Sequence, residues 1–137
     1  MDELTQIAEV LPDYELEREL GRGGMGVVLL GHHRRLGRPV AIKELPQTFA
    51  SEPDIRDRFT TEARTLATLS HPHIVPVYDY VERGALCLIV MEELPGGTVW
   101  ERFTGIGLTA PAACAIALAC CSALLIKSWR SSSSTCR

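Results

Sequence analysis

Three glycines at Gly21, Gly23 and Gly26, a lysine at Lys43 inside an apolar run, and a glutamate at Glu62 are the residues whose types and spacing could do chemistry. Residues without Cβ let backbone N–H groups approach an anion closely, and a turn between two strands presents several such groups together. Lys43 closes the run Val40-Ala41-Ile42-Lys43 and lies 17 residues after Gly26. It adds a compact positive charge of the kind that binds phosphate. The chemistry implied is the binding and positioning of a polyphosphate. The Gly-x-Gly-x-x-Gly spacing alone is weak evidence, because dinucleotide-binding folds use it to open a helix. Here the β-branched and apolar run Val27–Leu30 follows instead, so the glycines belong to the tip of a hairpin.

The elements that must position these residues can be read from the flanks. Tyr14, Leu16 and Leu20 alternate with Glu15, Glu17 and Glu19, as a half-buried strand requires. Strands are expected near 14–20, 27–33 and 38–45, forming an antiparallel meander with a turn at Leu36-Gly37-Arg38-Pro39. A helix follows, with Ser51 expected as N-cap, Pro53 in the first turn, and Ile55, Phe59, Ala63, Leu66 and Leu69 as its apolar stripe. Glu62 is three residues after Phe59 and four before Leu66, so its carboxylate is expected to point inward and to need a cation. Lys43 is the natural candidate. Two further strands are expected through Val77, Tyr78 and Tyr80 and through Leu86–Met91, joined at Arg83-Gly84. The second is apolar on both faces, as a strand buried under a helix should be. The sheet face away from the helix is expected to be mainly polar. Ahead of the first strand, Leu4, Ile7, Ala8 and Leu11 could line a short helix ending before Pro12.

A chain of 137 residues is one domain's length, and its net charge of −3 argues against nucleic acid as a partner. Five cysteines, an odd number with no Cys-x-x-Cys pair, suggest neither a disulfide framework nor a zinc site and fit a reducing cytoplasm. His71 and His73, at a proline turn without further histidine or cysteine support, read as structural and not as metal ligands. The opening Met1-Asp2-Glu3 is acidic where a secretory signal is basic, so export by that route is not expected.

Taken together, the glycine loop, the Val-Ala-Ile-Lys strand, the helix glutamate and the turn Leu69-Ser70-His71-Pro72-His73-Ile74-Val75 carry a resemblance. Residues 14–103 are similar to the small lobe of a bacterial eukaryotic-type serine/threonine protein kinase, with that group's Gly-Gly-Met-Gly form of the loop. The resemblance implies an α+β fold, a five-stranded antiparallel sheet with one packed helix, followed by a partial helical large lobe. It implies a small lobe at 14–94 after an N-terminal extension at 1–13. Residues 95–126 would be the hinge exit and first large-lobe helices; 127–137, outside the resemblance, is expected from its serine-rich composition to be a disordered tail. By the same resemblance ATP is the cofactor. Leu20 and Val28 would flank the adenine, and Gly21, Arg22, Gly23, Gly24, Met25 and Gly26 would cover the phosphates. Ala41 would line the purine pocket, and Met91 would be the gatekeeper. Glu92 and Leu94 would offer backbone hydrogen bonds to the adenine edge, and Lys43, held by Glu62, would reach the α- and β-phosphates. The activity implied is transfer of the ATP γ-phosphoryl group to a serine or threonine of a protein substrate. Leu29 departs from the tyrosine usual in the family.

The larger departure lies further on. No His-Arg-Asp, Asp-Phe-Gly or Ala-Pro-Glu motif occurs, the last aspartate is Asp79, and no acidic residue follows Glu101. Residues 102–137 therefore offer no carboxylate to a magnesium ion, and no metal ligand is assigned. On its own the chain is expected to bind nucleotide at most. Phe103 to Ile126 carries no charge, and Thr109-Ala110-Pro111 reads as the start of a helix. This stretch resembles the first long helix of a kinase large lobe up to about Ala123. Its hydropathy also admits association with a membrane through 103–126, although Pro111 and nearby glycines leave a good helix of about 15 residues where about 20 span a bilayer. The alternative function is thus a non-catalytic regulatory or membrane-tethered module.

Overall fold

The computed structural model describes residues 3–23 and 26–133. The chain divides into two units, Met1–Thr68 with Pro76–Glu93, and Leu69–Val75 with Leu94–Arg137.

The first unit opens on α1 (Glu3–Val10), which buries Ile7 and is followed by the equally buried Leu11. β1 (Tyr14–Gly23) pairs with β2 (Gly26–His33), and β2 with β3 (Pro39–Glu44). Two helices follow, the short α2 (Gln47–Ala50) and the longer α3 (Pro53–Ala67), then β4 (Val77–Arg83) and β5 (Leu86–Glu92). The strands form one antiparallel sheet in the order β1-β2-β3-β5-β4, so β5 is inserted beside β3 and is the most buried strand. The five expected strands and the principal helix are all present. Ser51 does not cap α3, however. It ends α2, donating its hydroxyl to the Thr48 carbonyl at 2.9 Å, and Glu52 takes the N-cap position without a side-chain bond. Pro53 still occupies the first turn, where a missing N–H costs nothing.

Both faces of the sheet are apolar. On one, Leu45, Phe59, Ala63, Cys87 and Ile89 join α3 to the strands. On the other, Val27, Leu29, Val40, Ile42, Leu88 and Val90 pack with Ile7 and Leu11 of the N-terminal segment. The expectation of a mainly polar second face is therefore corrected. Val27-Val28-Leu29-Leu30 is apolar at every position, so its alternation cannot show which face is wet, and α1 supplies the cover that such a face needs.

In the second unit α4 (Val99–Gly105) begins with a complete capping box. The Thr98 hydroxyl accepts from the Glu101 N–H at 3.1 Å, and the Glu101 carboxylate accepts from the Thr98 N–H at 2.6 Å. These bonds hold the Glu101 carboxyl below its ordinary range. α5 (Ala110–Ser133) starts where Thr109 accepts from Ala112 and Ala113. It runs to Ser133, past Ile126 where the sequence reading ends the helical stretch and begins an irregular tail; residues 134–137 lie outside the described ones. At the turn before β4, the His71 ring nitrogen accepts from the His73 N–H at 3.1 Å, a local structural use of that histidine. Among the described residues no helix is long and apolar enough to cross a membrane.

Candidate nucleotide-binding site

Alternation along β3 puts Ala41 and Lys43 on the α3 side and Val40, Ile42 and Glu44 on the α1 side. Cross-strand pairing extends the α3 side in both directions. Val28 of β2 stands opposite Lys43, and Met91 of β5 opposite Ala41. These four side chains thus share one face, an apolar patch around a single ammonium group. Lys43 is half-buried, and its Nζ lies 5.9 Å from the centre of the Phe59 ring on α3, at the outer reach of a cation–π contact.

Lys43 and Glu62 line one cavity of about 320 Å³ between β3 and α3, with Leu45, Phe49, Ile55, Arg58 and Phe59 around them. Their carboxylate and ammonium are nevertheless not among the ion pairs within 4.0 Å formed by the described residues. Glu62 is exposed, which corrects the inward orientation expected from its spacing. The buried stripe of α3 is carried by Phe59 and Ala63, flanked by the half-buried Ile55 and Leu66. Glu62 stands at the margin of that stripe, where water solvates the carboxylate and no cation is required.

α3 is fixed instead by residues that carry little signal of that role in the sequence. The Arg56 guanidinium pairs with Glu82 and donates to the Gly84 carbonyl at 3.1 Å, reaching the β4–β5 turn. One turn on, the Thr60 hydroxyl meets the Tyr80 hydroxyl at 2.8 Å, and Tyr80 donates to Glu82 at 3.1 Å. Burial pushes the Tyr80 phenol up to about 12, so it stays a donor over the whole physiological range. The partners lie 20 or more residues away in sequence, so no local pattern signals this anchor.

Above the sheet, Gly21, Arg22 and Gly23 end β1 and Gly26 begins β2, with Gly23 paired to Gly26 across the tip. Gly24 and Met25, the other two residues assigned to the phosphates, lie outside the described ones. Side-chain space beside Gly21 and Gly23 is open, with no atom within 4 Å of a notional Cβ. Gly26 is different. Its φ is 112°, and a Cβ there would come 1.9 Å from the Glu44 carbonyl oxygen, so only glycine lets the loop descend this closely onto β3. Leu20 sits at a register shift of β1 and is 40% exposed. Glu92 spends its N–H on the Pro76 carbonyl at 3.0 Å, so a bond from Glu92 to a ligand falls to its carbonyl. Leu94 belongs to the second unit.

Beneath Gly26, Glu44 is 1% exposed and neither carboxyl oxygen has a hydrogen-bond partner. Burial first, and the neighbouring Glu3 second, raise its pKa to about 7. The signal that could have found it is a charge at an inward position of an otherwise apolar strand.

Comparison with known proteins agrees with this geometry. The protein kinase domain model matches residues 14–125. A probable serine/threonine-protein kinase of Streptomyces coelicolor is 46% identical over 92 residues, covering 64% of this chain and 14% of that protein. Serine/threonine-protein kinase PknA of Mycobacterium tuberculosis is 44% identical over 88 residues, covering 61% of this chain and 20% of that one. The crystal structure of the Mycobacterium tuberculosis PknI kinase domain superposes with a TM-score of 0.76 at 30% identity, covering 86% of this chain and 49% of that structure. The chain thus spans a fifth or less of these two curated relatives and about half of a solved kinase domain. With sheet order, glycine hairpin, strand lysine and packed helix all in agreement, the chain belongs to the protein kinase domain family.

Proposed function

We propose that this chain is the ATP-binding portion of a bacterial serine/threonine protein kinase, the family's activity being γ-phosphoryl transfer from ATP to a protein hydroxyl. The observation that carries this reading is the placement of Lys43. It is the one ammonium on a sheet face formed by Val28, Ala41 and Met91, one strand away from a glycine hairpin with open space beside Gly21 and Gly23. An apolar face suits a purine, and a half-buried ammonium suits phosphates. The residues present therefore fit a nucleoside triphosphate. ATP supplies the transferable phosphoryl group, and this chain's part is to bind and orient it. Glu62, on the same cavity as Lys43, would hold the ammonium by a rotation of side chains within that cavity.

Residues 102–137 contain no carboxylate, so phosphoryl transfer is assigned to a polypeptide that includes the family's magnesium-holding residues. The test is calorimetric titration with ATP alongside Lys43→Met. The parent should bind weakly and the variant not at all, with identical circular dichroism. Equal binding by the two would remove Lys43 from the site. Incubation of the parent with radiolabelled ATP and magnesium should show no phosphate transferred to itself or to a generic protein substrate.

A further inference from the structure

The N-terminal helix precedes the residues matched by the kinase domain model, yet it reaches the glycine loop. Arg22, between two loop glycines, donates to Glu3 of α1 at 3.2 Å and to Glu19 of its own strand at 3.0 Å. Glu3, Arg22, Gly23, Gly26 and Glu44 line a cavity of about 340 Å³ together with Thr48 of α2. α1 is anchored independently by Ile7, which is fully buried, and by a bond of 3.4 Å from Gln47 of α2 to Gln6. Glu3 is thus held over the loop base as long as α1 stays seated.

Glu44 lines this cavity together with Glu3, and neither of its carboxyl oxygens has a partner. Two carboxylates are acceptors only, so the hydrogen that can join them is one carried by Glu44. The titratable groups facing Glu44 among the described residues are Glu3 from α1 and Arg22 from β1, the latter shared with Glu19. β2 and α2 contribute only Gly26, Val27, Thr48 and Phe49 to this cavity.

We propose that α1 is a proton-dependent latch on the glycine loop: Glu3 clasps Arg22, a protonated Glu44 braces Glu3 from beneath, and loss of that proton releases α1 and the loop together. With the proton in place the chain Glu44–Glu3–Arg22–Glu19 alternates donor and acceptor and leaves no like charges in contact. Without it a buried carboxylate confronts Glu3, and the arrangement relaxes by moving the one member outside the sheet. Glu3, Arg22 and Glu44 are then positioning residues for the loop. Their relevance to nucleotide rests on the ATP-binding reading above; the latch itself does not.

The test is amide hydrogen exchange on the full chain at pH 6 and pH 8, corrected for intrinsic rates, in the parent, Glu44→Gln and Glu3→Ala. A carboxyl titrating at about 7 when latched and at 4.5 when released makes the parent's Arg22, Gly23 and Val27 amides exchange about tenfold faster at pH 8. Glu44→Gln, a permanently neutral isostere, should be equally protected at both pH values, and Glu3→Ala, which removes the acceptor for Arg22 and for Glu44, equally unprotected at both. Parent protection that ignores pH, or Glu3→Ala protected like the parent, overturns the latch. Titration of each protein with metal-free ATP separates the two readings. Exchange behaving as stated with no nucleotide bound sinks the ATP reading and supports the latch, whereas nucleotide binding with pH-independent exchange does the reverse.

Discussion

At the scale of single residues, the chain carries two charged groups on one strand with opposite fates. Lys43 and Glu44 are neighbours, so the pleat sends them to opposite faces. Lys43 keeps an edge of water and an aromatic ring, while Glu44 is sealed under Gly26. The sign of the resulting pH dependence follows from the direction of the shift. Glu44 has its pKa raised from 4.5 to about 7 in the folded chain, so the folded form holds a proton that the unfolded form releases. Stability conferred by the neutral carboxyl is complete below about 4.5, declines as pH rises, and is lost above about 7. The loss is on the order of 3 kcal/mol from a shift of this size. Glu44→Gln should therefore unfold at higher urea than the parent at pH 8, with the advantage shrinking toward pH 5. An advantage independent of pH would mean that Glu44 is not titrating in this window.

At the scale of elements, the helix α1 shows that a segment outside the residues matched by the family model can still complete the core. The sequence reading sets residues 1–13 aside as an extension, because the motif-bearing residues begin at Tyr14. In the fold, Ile7 and Leu11 complete the core under β2, β3 and β5, and the sheet's second face is dry because of them. Ile7→Ala should accordingly cost about 2–5 kcal/mol in denaturant unfolding, the usual penalty for a fully buried aliphatic side chain. A cost below 1 kcal/mol, the range of a surface substitution, would return α1 to the status of an appendage. What was legible came from strong local patterns: the glycine hairpin, the apolar β5, the stripe of α3 and the Pro53 start. The contacts that fix α3, from Arg56 to Glu82 and Gly84 and from Thr60 to Tyr80, join residues 20 or more apart in sequence. No periodicity within either element encodes such pairings. Glu62 was misplaced for a related reason, since a helical wheel locates a residue within a stripe but does not fix the stripe's width.

At the scale of the whole chain, the two units differ in how much of their apolar surface they bury. The first covers both faces of its sheet. In the second, Trp100, Ile106, Leu118 and Leu125 are each at least 70% exposed. Along α5, Cys114, Leu118, Cys121 and Leu125 recur at alternating steps of four and three, a seam of the kind that packs against another helix, and all four are exposed. Burying each leucine is worth about 1.5–3 kcal/mol, enough in combination for association at protein concentrations used in solution work. The full chain should therefore sediment as a concentration-dependent oligomer, and Leu118→Gln with Leu125→Gln should shift it toward monomer without altering the exchange behaviour of the sheet. Vesicles added to the parent distinguish a lipid contact from a protein one: association unchanged by lipid assigns the seam to helix pairing, and co-flotation with vesicles assigns it to the membrane surface. A parent that remains monomeric at every concentration, with and without vesicles, would show that this stripe needs no cover at all.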